Sequence, residues 1–414
     1  MLNFLRILAY EWKKNFARVS ILGAVFLLSM INLGNIYYGY SSNSYFADNN
    51  GWKNAYWELY GRFSGTITSE KLADLKGLYV PLAQKVADMT FNTSIDSDSI
   101  TGVNGYNDYL MLDSYYVADM QMFCRYAENA EKIAGKAKEN VELYHALGNA
   151  YQARVNVKIY DLFHDRQITS FAYTEGYKRM TEYTFSSWLV LLICLFAVSG
   201  IFAGEKEIQM DKLLKSTQKG YRATAYAKIA AALLFAACIS AWFSFMDYCG
   251  FAFVYGFKGA GSLPVYALAD FKYSILDATL LQYFLLASAG RILGTAFFTL
   301  LCTLLSLMFG TSLLPFLLGC VSSGIACLMA DITQNAYCIY WRVCNPAFWL
   351  YSKALYREPE YVNALGEPVA VPMAAFCCCL LLCGMLSISI CHVYCRIGLM
   401  KSRRIGGKCA DISV

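Results

Sequence analysis

The chain has 414 residues, which is long enough for two soluble domains, yet its composition excludes that arrangement. Hydrophobic residues make up 57% of the sequence, charged residues make up only 16%, and the mean hydropathy is +0.38. These values are typical of an integral membrane protein. The net charge of +5 is modest, and the distribution of basic residues indicates membrane topology and not nucleic-acid binding.

The first predicted element is a helix in residues 1–18. Apolar side chains recur there at helical spacing, and basic side chains occupy the rest of the helical wheel. The apolar positions are Leu2, Leu5, Leu8, Trp12 and Phe16, and the basic positions are Arg6, Lys13 and Lys14. This pattern indicates an interfacial helix that lies along the cytoplasmic surface of the membrane. The alternative is a soluble N-terminal helix packed on another domain.

Six apolar blocks follow, and each approaches or exceeds the roughly 20 residues that a helix needs to cross a bilayer. The blocks are 19–39, 184–203, 226–256, 280–309, 313–330 and 373–395. They predict an all-α integral membrane protein with six transmembrane helices and with both termini on one side. The basic residues before the first block also resemble a secretory signal, but the long leader and the lack of a small-residue cleavage pattern favour a retained span.

A polar segment, 40–183, separates the first two spans and predicts a large, mainly helical extracellular domain. Apolar and small residues recur in it at alternating steps of three and four, which indicates the seam of one long helix packed as in a coiled coil. The seam runs through Met120, Phe123, Ala127, Ala130, Ala134, Ala137, Val141, Tyr144, Gly148, Tyr151 and Val155. Its alanines allow close approach of an antiparallel partner, either residues 68–91 or the same helix of a second subunit. The alternative is one face of an ordinary helical domain.

Lys and Arg residues in the connections predict the orientation, because basic residues near span ends resist translocation. Residues 1–18, 204–228 and 396–414 together carry fifteen of them, whereas residues 257–279 and 331–372 carry five. We therefore expect a multi-pass protein of the cell membrane with both termini in the cytoplasm. The remaining part of the chain, 184–414, then holds spans two to six, a cytoplasmic coupling segment and a C-terminal tail.

Sequence patterns for chemistry are missing. There is no glycine-rich phosphate-binding loop, and His145, His164 and His392 lack the neighbouring Glu and second His of a metalloprotease helix. Cys391 and Cys395 flank His392, but this order does not match haem attachment and the residues lie in an apolar block. Cysteine packs in such blocks as a small apolar residue. We therefore predict no catalytic residue, no metal site, no cofactor on this chain and no disulfide framework.

The cytoplasmic segment 204–225, between the second and third spans, has the features of a partner-binding element. Two acidic residues open a predicted short helix and basic residues follow them, which matches the helix dipole at each end. Three apolar residues give that helix one apolar side. The residues expected at the contact are Glu205, Glu207, Met210, Lys212, Leu213 and Leu214. A short amphipathic helix held between two spans suits a soluble protein that moves those spans.

The order of these parts resembles the type 2 ABC exporter permeases. In that family the corresponding loop commonly reads Phe-x-x-Glu-x-x-x-Gly-Thr-x-x-x-Leu-Leu-x-Thr-Pro, and its short helix docks on an ATPase subunit. The residues that fit this pattern, with small shifts, are Phe202, Glu205, Leu213, Leu214 and Thr217. Gln209 stands where Gly is usual, and Gln218 stands where Pro is usual. The layout matches over nearly the whole chain, whereas the motif itself is short.

This resemblance implies a membrane-spanning permease subunit that couples ATP hydrolysis on a separate ATPase chain to export across the membrane. ATP and Mg²⁺ would bind the ATPase partner. The permease would work as a homodimer or with a related permease in the lipid membrane, and its exported substrate would be a peptide, a lipid or a drug. The alternative is a non-transporting membrane sensor that binds a ligand through the extracellular helical domain. A membrane enzyme is a third alternative, for which no catalytic group of residues is found.

Asp247 and Arg291 are the two charged residues that interrupt the spans. Asp247 lies about nine residues from the outer end of the third span and Arg291 about a dozen from that of the fourth, so their depths differ by only one to two turns. An unpaired charge is costly at that depth. Our hypothesis is that the two side chains pair or face a common cleft. The alternative is that one span is short or broken and its charge reaches interfacial water.

Overall fold

The computed structural model describes residues 2–43, 50–90, 99–101, 104–210, 221–333 and 339–410. The described helices are α1 (Leu2–Asn15), α2 (Val19–Asn43), α3 (Asn50–Phe63), α4 (Ser69–Ala87), α5 (Gly105–Leu112), α6 (Ala118–Ala146), α7 (Ala150–Phe163), α8 (Glu175–Glu182), α9 (Phe185–Glu207), α10 (Tyr221–Val254), α11 (Leu280–Met308), α12 (Leu313–Thr333), α13 (Ile339–Cys344), α14 (Lys353–Tyr356) and α15 (Val371–Ala410). A π-helical turn, Asp113–Val117, joins α5 to α6. Two antiparallel pairs of strands are described, β1 (Gly65–Thr66) with β2 (Ser170–Phe171) and β3 (Tyr361–Ala364) with β4 (Glu367–Ala370).

Six of the described helices are long and apolar enough to cross a membrane, as the sequence predicts. They are α2, α9, α10, α11, α12 and α15. The second span, α9, is the most buried of the six, and it packs against α2, α10, α11 and α12. In its apolar stretch 72% of the residues are buried within the chain, against 17% for α15.

The connections between spans collect at two ends of the bundle. Arg166 Nη1 donates to Ser274 O at 2.8 Å, and Arg154 Nη2 donates to Gly366 O at 2.8 Å. The segment that contains α7 therefore docks on the connection after α10 and on the one before α15, and we call this the insertion end. At the other end, which we call the α1 end, α1 packs on α9 and α10.

The N-terminal helix α1 packs on other helices of the chain. The ring of Phe16 stacks on Phe235 of α10, with 4.4 Å between centroids, and Trp12 meets the same ring edge-on. The apolar face predicted to rest on the membrane surface therefore covers the start of α10.

The predicted long seam is two helices and not one. Helix α6 ends at Ala146, Gly148 takes the left-handed backbone conformation with a φ of +69°, and α7 runs back along α6. Asn140 Nδ2 donates to Asn156 Oδ1 across this hairpin at 3.2 Å. The antiparallel partner is therefore the continuation of the seam itself and not residues 68–91, whose helix α4 packs on α5.

Three of the four seam alanines are buried against the hairpin partner, namely Ala130, Ala134 and Ala137. Ala127 is exposed, which corrects the prediction, and Tyr126 is buried in its place. The tyrosine hydroxyl donates to Lys272 O at 2.9 Å, so this turn of α6 faces the connection after α10.

The connection between α12 and α15 turns back into the bundle. Residues Pro346–Trp349 form a buried 3-10 turn that packs on α11 and α12. Trp349 lies against Gly290 and Gly294 of α11, where a Cβ added at Gly290 would come within 2.6 Å of Trp349 Cε3. The two glycines, one helical turn apart, form the groove that admits the indole ring.

Candidate functional site

Asp247 of α10 and Arg291 of α11 are paired inside the insertion-end half of the bundle. Arg291 Nη1 lies 2.9 Å from Asp247 Oδ2, and the side chains are 12% and 2% exposed. Each charge thus has a partner of opposite sign in a region where an isolated charge would be costly. Both helices are continuous through these residues, so the alternative of a broken span is wrong.

Three uncharged side chains complete what we call the Asp247 network. Asn32 Nδ2 donates to Asp247 Oδ1 at 2.7 Å, and Ser186 Oγ donates to Asp247 Oδ2 at 2.7 Å. Arg291 Nη1 also donates to Ser186 Oγ at 3.0 Å. Tyr183 OH donates to Asn32 Oδ1 at 2.8 Å. The network therefore connects α2, α9, α10 and α11 through one carboxylate.

A cavity of about 540 Å³ adjoins the network at the insertion end. Asp247 and Arg291 form part of its wall, together with the start of α11, the end of α12 and residues 342–360. The volume lies within the range of small-molecule binding sites. Polar groups dominate the wall, including hydroxyls from Tyr351, Ser288 and Ser352.

Most of the charge around this cavity is internally compensated. Arg342 and Glu360 form a two-pronged ion pair, with nitrogen–oxygen distances of 2.6 and 2.7 Å. Burial raises the pKa of Glu360, and Arg342 opposes that rise. Lys353 Nζ lies 2.6 Å from Asp270 Oδ2, and this hydrogen bond lowers the pKa of Asp270. Arg342 and Lys353 therefore each have an acidic partner within the chain.

Four charged side chains meet at the α1 end and form what we call the Glu205 cluster: Glu11 and Lys14 of α1, Glu205 of α9 and Lys228 of α10. Glu205 Oε1 lies 2.5 Å from Lys14 Nζ and 2.6 Å from Lys228 Nζ. Glu11 Oε2 lies 3.6 Å from Lys228 Nζ. The Lys228 side chain is 0% exposed and that of Glu205 is 5% exposed. Two acids and two bases make the cluster neutral overall.

The next two residues of α9 bind the connection between α11 and α12. Lys206 Nζ donates to Leu307 O and, at 3.0 Å, to Phe309 O, so an ammonium group caps the carbonyl end of α11. Glu207 Oε1 accepts from Ser312 N at 2.6 Å, just before the start of α12, where a carboxylate matches the helix dipole. The end of α9 therefore contacts α1, α10, α11 and α12.

The structure changes the interpretation of two predicted coupling residues. Glu205 and Glu207 do not open a new helix, because α9 continues to Glu207 and both lie in its last turn. Their carboxylates bind groups of this chain. Met210 is 40% exposed and Ile208 is 63% exposed. The other predicted contact residues, Lys212, Leu213 and Leu214, lie outside the described residues.

Buried hydroxyl groups lie below the Asp247 network on the same faces of α10 and α11. Ser244 is one turn from Asp247, Ser240 is another turn away, and Thr295 is one turn from Arg291. The three hydroxyls are buried and form no hydrogen bond with any described residue. These faces of α10 and α11 therefore carry buried hydroxyl groups that have no partner among the described residues.

Several residues of these sites were not singled out in the sequence. Asn32 and Ser186 are uncharged, and Glu11 lies on the polar side of the predicted interfacial helix. In the sequence, Lys228 looks like an ordinary basic residue at a span end. Where the chain is described, no group of three or more His, Cys, Asp or Glu side chains is arranged to hold a metal ion. Comparison of the chain with models of known protein families and with curated protein sequences finds no match.

Proposed function

We propose that this chain is the membrane-spanning permease subunit of an ABC-type exporter, and that a separate ATPase chain moves it. The observation that carries the proposal is the Glu205 cluster together with the contacts of Lys206 and Glu207. They join the start of the predicted coupling segment to α1, α10 and the α11–α12 connection. A partner that displaces residues 204–225 would therefore displace several spans together.

The cavity and the Asp247 network lie at the opposite end of the same helices. In the proposed cycle, ATP binding and hydrolysis with Mg²⁺ on the partner tilt α9 and α10 against α11. Separation of α10 from α11 would let water hydrogen-bond to Ser240, Ser244 and Thr295, whose hydroxyls have no partner among the described residues. The exported molecule would leave through the cavity.

A second permease, either a copy of this chain or a related one, is part of the proposal. The apolar stretches of α2, α12 and α15 are the least buried of the six, at 22%, 28% and 17%. Such faces require lipid or another apolar surface. We propose the cell membrane as the location, with the α1 end in the cytoplasm and the insertion end outside.

Co-purification with the native ATPase tests this function. We expect an ATPase to follow the tagged permease in mild detergent and to be lost from the variant Leu213→Asp/Leu214→Asp. The matched control is Leu143→Asp/Leu147→Asp, which adds the same two charges at exposed leucines of the insertion. The control should keep the ATPase.

A tag inserted after Lys212 tests the orientation independently. It should be reached by antibody only after the cells are permeabilised. Detection of the tag on intact cells would place the coupling segment outside, where no ATPase acts, and would exclude the proposed function. An ATPase that remains bound to both leucine variants would exclude the proposed contact.

A further inference from the structure

The chain leaves α10 through a tight turn that requires an uncommon backbone conformation. The amide of Ala260 donates to Phe257 O at 2.7 Å, so residues 257–260 form a hydrogen-bonded β-turn. Its two central residues, Lys258 and Gly259, both have positive φ, at +24° and +83°. Turns with two such residues normally place glycine, asparagine or aspartate at both positions. Lys258 has a Cβ, so its backbone conformation is strained.

Helix α3, from the insertion between the first two spans, binds Lys258 at both its side chain and its backbone. Lys258 Nζ lies over the ring of Trp57, 3.2 Å from the centroid, and 5.9 Å from the ring centroid of Tyr60. An ammonium group in this position is attracted to the electron-rich face of the ring. Tyr60 OH also donates to Lys258 O at 2.8 Å. The two contacts together offset the strain in the turn.

The same turn contacts the bundle through the ring of Phe257. The centroid of that ring lies 4.3 Å from Tyr177 of α8 and 5.0 Å from Tyr248 of α10. Tyr248 directly follows Asp247 in the sequence, and its ring centroid lies 5.3 Å from that of Phe284. Phe284 lines the cavity. The turn therefore lies between α3 on one side and residues beside the Asp247 network and the cavity on the other.

We infer that residues 257–260 are a strained latch, which Trp57 and Tyr60 hold closed while α3 is docked on the bundle. Strained backbone persists only where the surrounding contacts enforce it. When α3 withdraws, Lys258 returns to negative φ, the turn opens, and the ring of Phe257 leaves Tyr248. The position of the insertion thereby controls the packing at the insertion end of α10. The latch requires no ATPase, so either proposal can fail without the other.

The test measures hydrogen–deuterium exchange of the Ala260 amide, the donor of the turn, by mass spectrometry of the full chain in lipid nanodiscs. Lys258→Gln keeps the Cβ but removes the ammonium group, so this amide should exchange about tenfold faster than in the wild type. Lys258→Arg keeps a cation for the ring of Trp57 and should stay within about threefold of the wild type. Lys258→Gly removes the ammonium group and the strain together. It should exchange more slowly than Lys258→Gln, although it deletes more atoms.

The matched control is Lys272→Gln, which removes the same charge from an exposed position of the same connection and should leave the exchange of Ala260 unchanged. Trp57→Leu should open the turn as Lys258→Gln does. Lys258 is exposed, so its variants leave the core intact and decide the outcome even if Trp57→Leu does not fold. Wild-type exchange in Lys258→Gln would overturn the latch. Equal exchange in Lys258→Gln and Lys258→Gly would also overturn it, because the turn would then hold no strain.

Discussion

Replacing Glu205 by glutamine should destabilise the folded chain by about 3–5 kcal/mol, the cost of removing one partner from a buried ion pair. The carboxylate binds two ammonium groups, at 2.5 Å and 2.6 Å. Lys14 remains 21% exposed and can turn to water, but Lys228 is 0% exposed and cannot. In Glu205→Gln, Lys228 keeps Glu11 at 3.6 Å, the carbonyl of Ile201 at 2.7 Å and the ring of Phe202, whose centroid lies 4.9 Å from Nζ, but it loses its closest anionic partner.

The double variant Glu205→Gln/Lys228→Met separates this cost from a simple loss of packing. It removes the stranded ammonium together with the carboxylate, and methionine fills a similar volume without charge. Uncharged replacements of buried ion pairs are often close to neutral. We therefore expect the double variant to be more stable than Glu205→Gln alone.

The assay is reversible unfolding in mixed detergent micelles with increasing SDS, followed by tryptophan fluorescence. Glu139→Gln, at an exposed position of α6, is the matched control and should change the free energy of unfolding by less than about 0.5 kcal/mol. If Glu205→Gln unfolds like this control, the cluster is hydrated in the membrane protein. That result would refute a water-excluded ion pair between Glu205 and Lys228.

Two further predictions follow from packing and from burial. Gly290→Ala should destabilise the chain by about 1–3 kcal/mol in the same assay, because the new Cβ would lie 2.6 Å from Trp349 Cε3. The control Gly384→Ala, where a Cβ meets nothing within 4 Å, should be neutral or slightly stabilising. Equal effects of the two variants would contradict the close packing of Trp349 on Gly290. Burial raises the pKa of Asp119 from 3.8 to about 6, so the folded chain favours the protonated acid and loses stability as pH rises from about 4 to 6, by at most about 3 kcal/mol. Asp119→Asn should remove this loss and melt at a higher temperature than the wild type at pH 7.5 but not at pH 3.5; identical pH profiles would contradict the shift.

The spans and the Asp247–Arg291 pair were predictable from the sequence for the same reason. A stretch of about 20 apolar residues has few structural options other than a membrane helix. Counting residues from the ends of two such helices gives the depth of any charge within them. Two charges of opposite sign at similar depth then lower their free energy by pairing.

The partners of that pair were not predictable. Asn32 and Ser186 are small polar residues of a kind that occurs in many spans, and nothing in their spacing identifies the helix that they face. Lys228 at the start of α10 looks like an ordinary basic flank. Its burial depends on α1 folding over it, which is a tertiary contact between residues more than 200 positions apart.

The seam shows how a local pattern can cross a chain reversal. The spacing of three and four continues through Leu147–Asn149, although α6 has ended there. Gly148 and Asn149 were the signals for the break, because glycine favours the left-handed conformation after a helix and asparagine caps the next one. Asn149 Oδ1 indeed accepts from Gln152 N at 3.1 Å. The return of Trp349 into the bundle had no periodic signal at all.

The two polar sites are spaced so that the same two helices connect them. Ser186 and Glu205 of α9 are nineteen residues apart, and so are Lys228 and Asp247 of α10. Nineteen residues of helix span about 28 Å, close to the thickness of the hydrocarbon core of a bilayer. α9 and α10 are therefore joined by polar contacts at two levels about 28 Å apart, and mostly by apolar contacts between these levels. If the polar contacts at one level break, α9 and α10 can separate at that end while the contacts at the other level still hold them together. In the proposed exporter, rigid helices and not a chain of side-chain contacts would carry motion from the ATPase to the cavity.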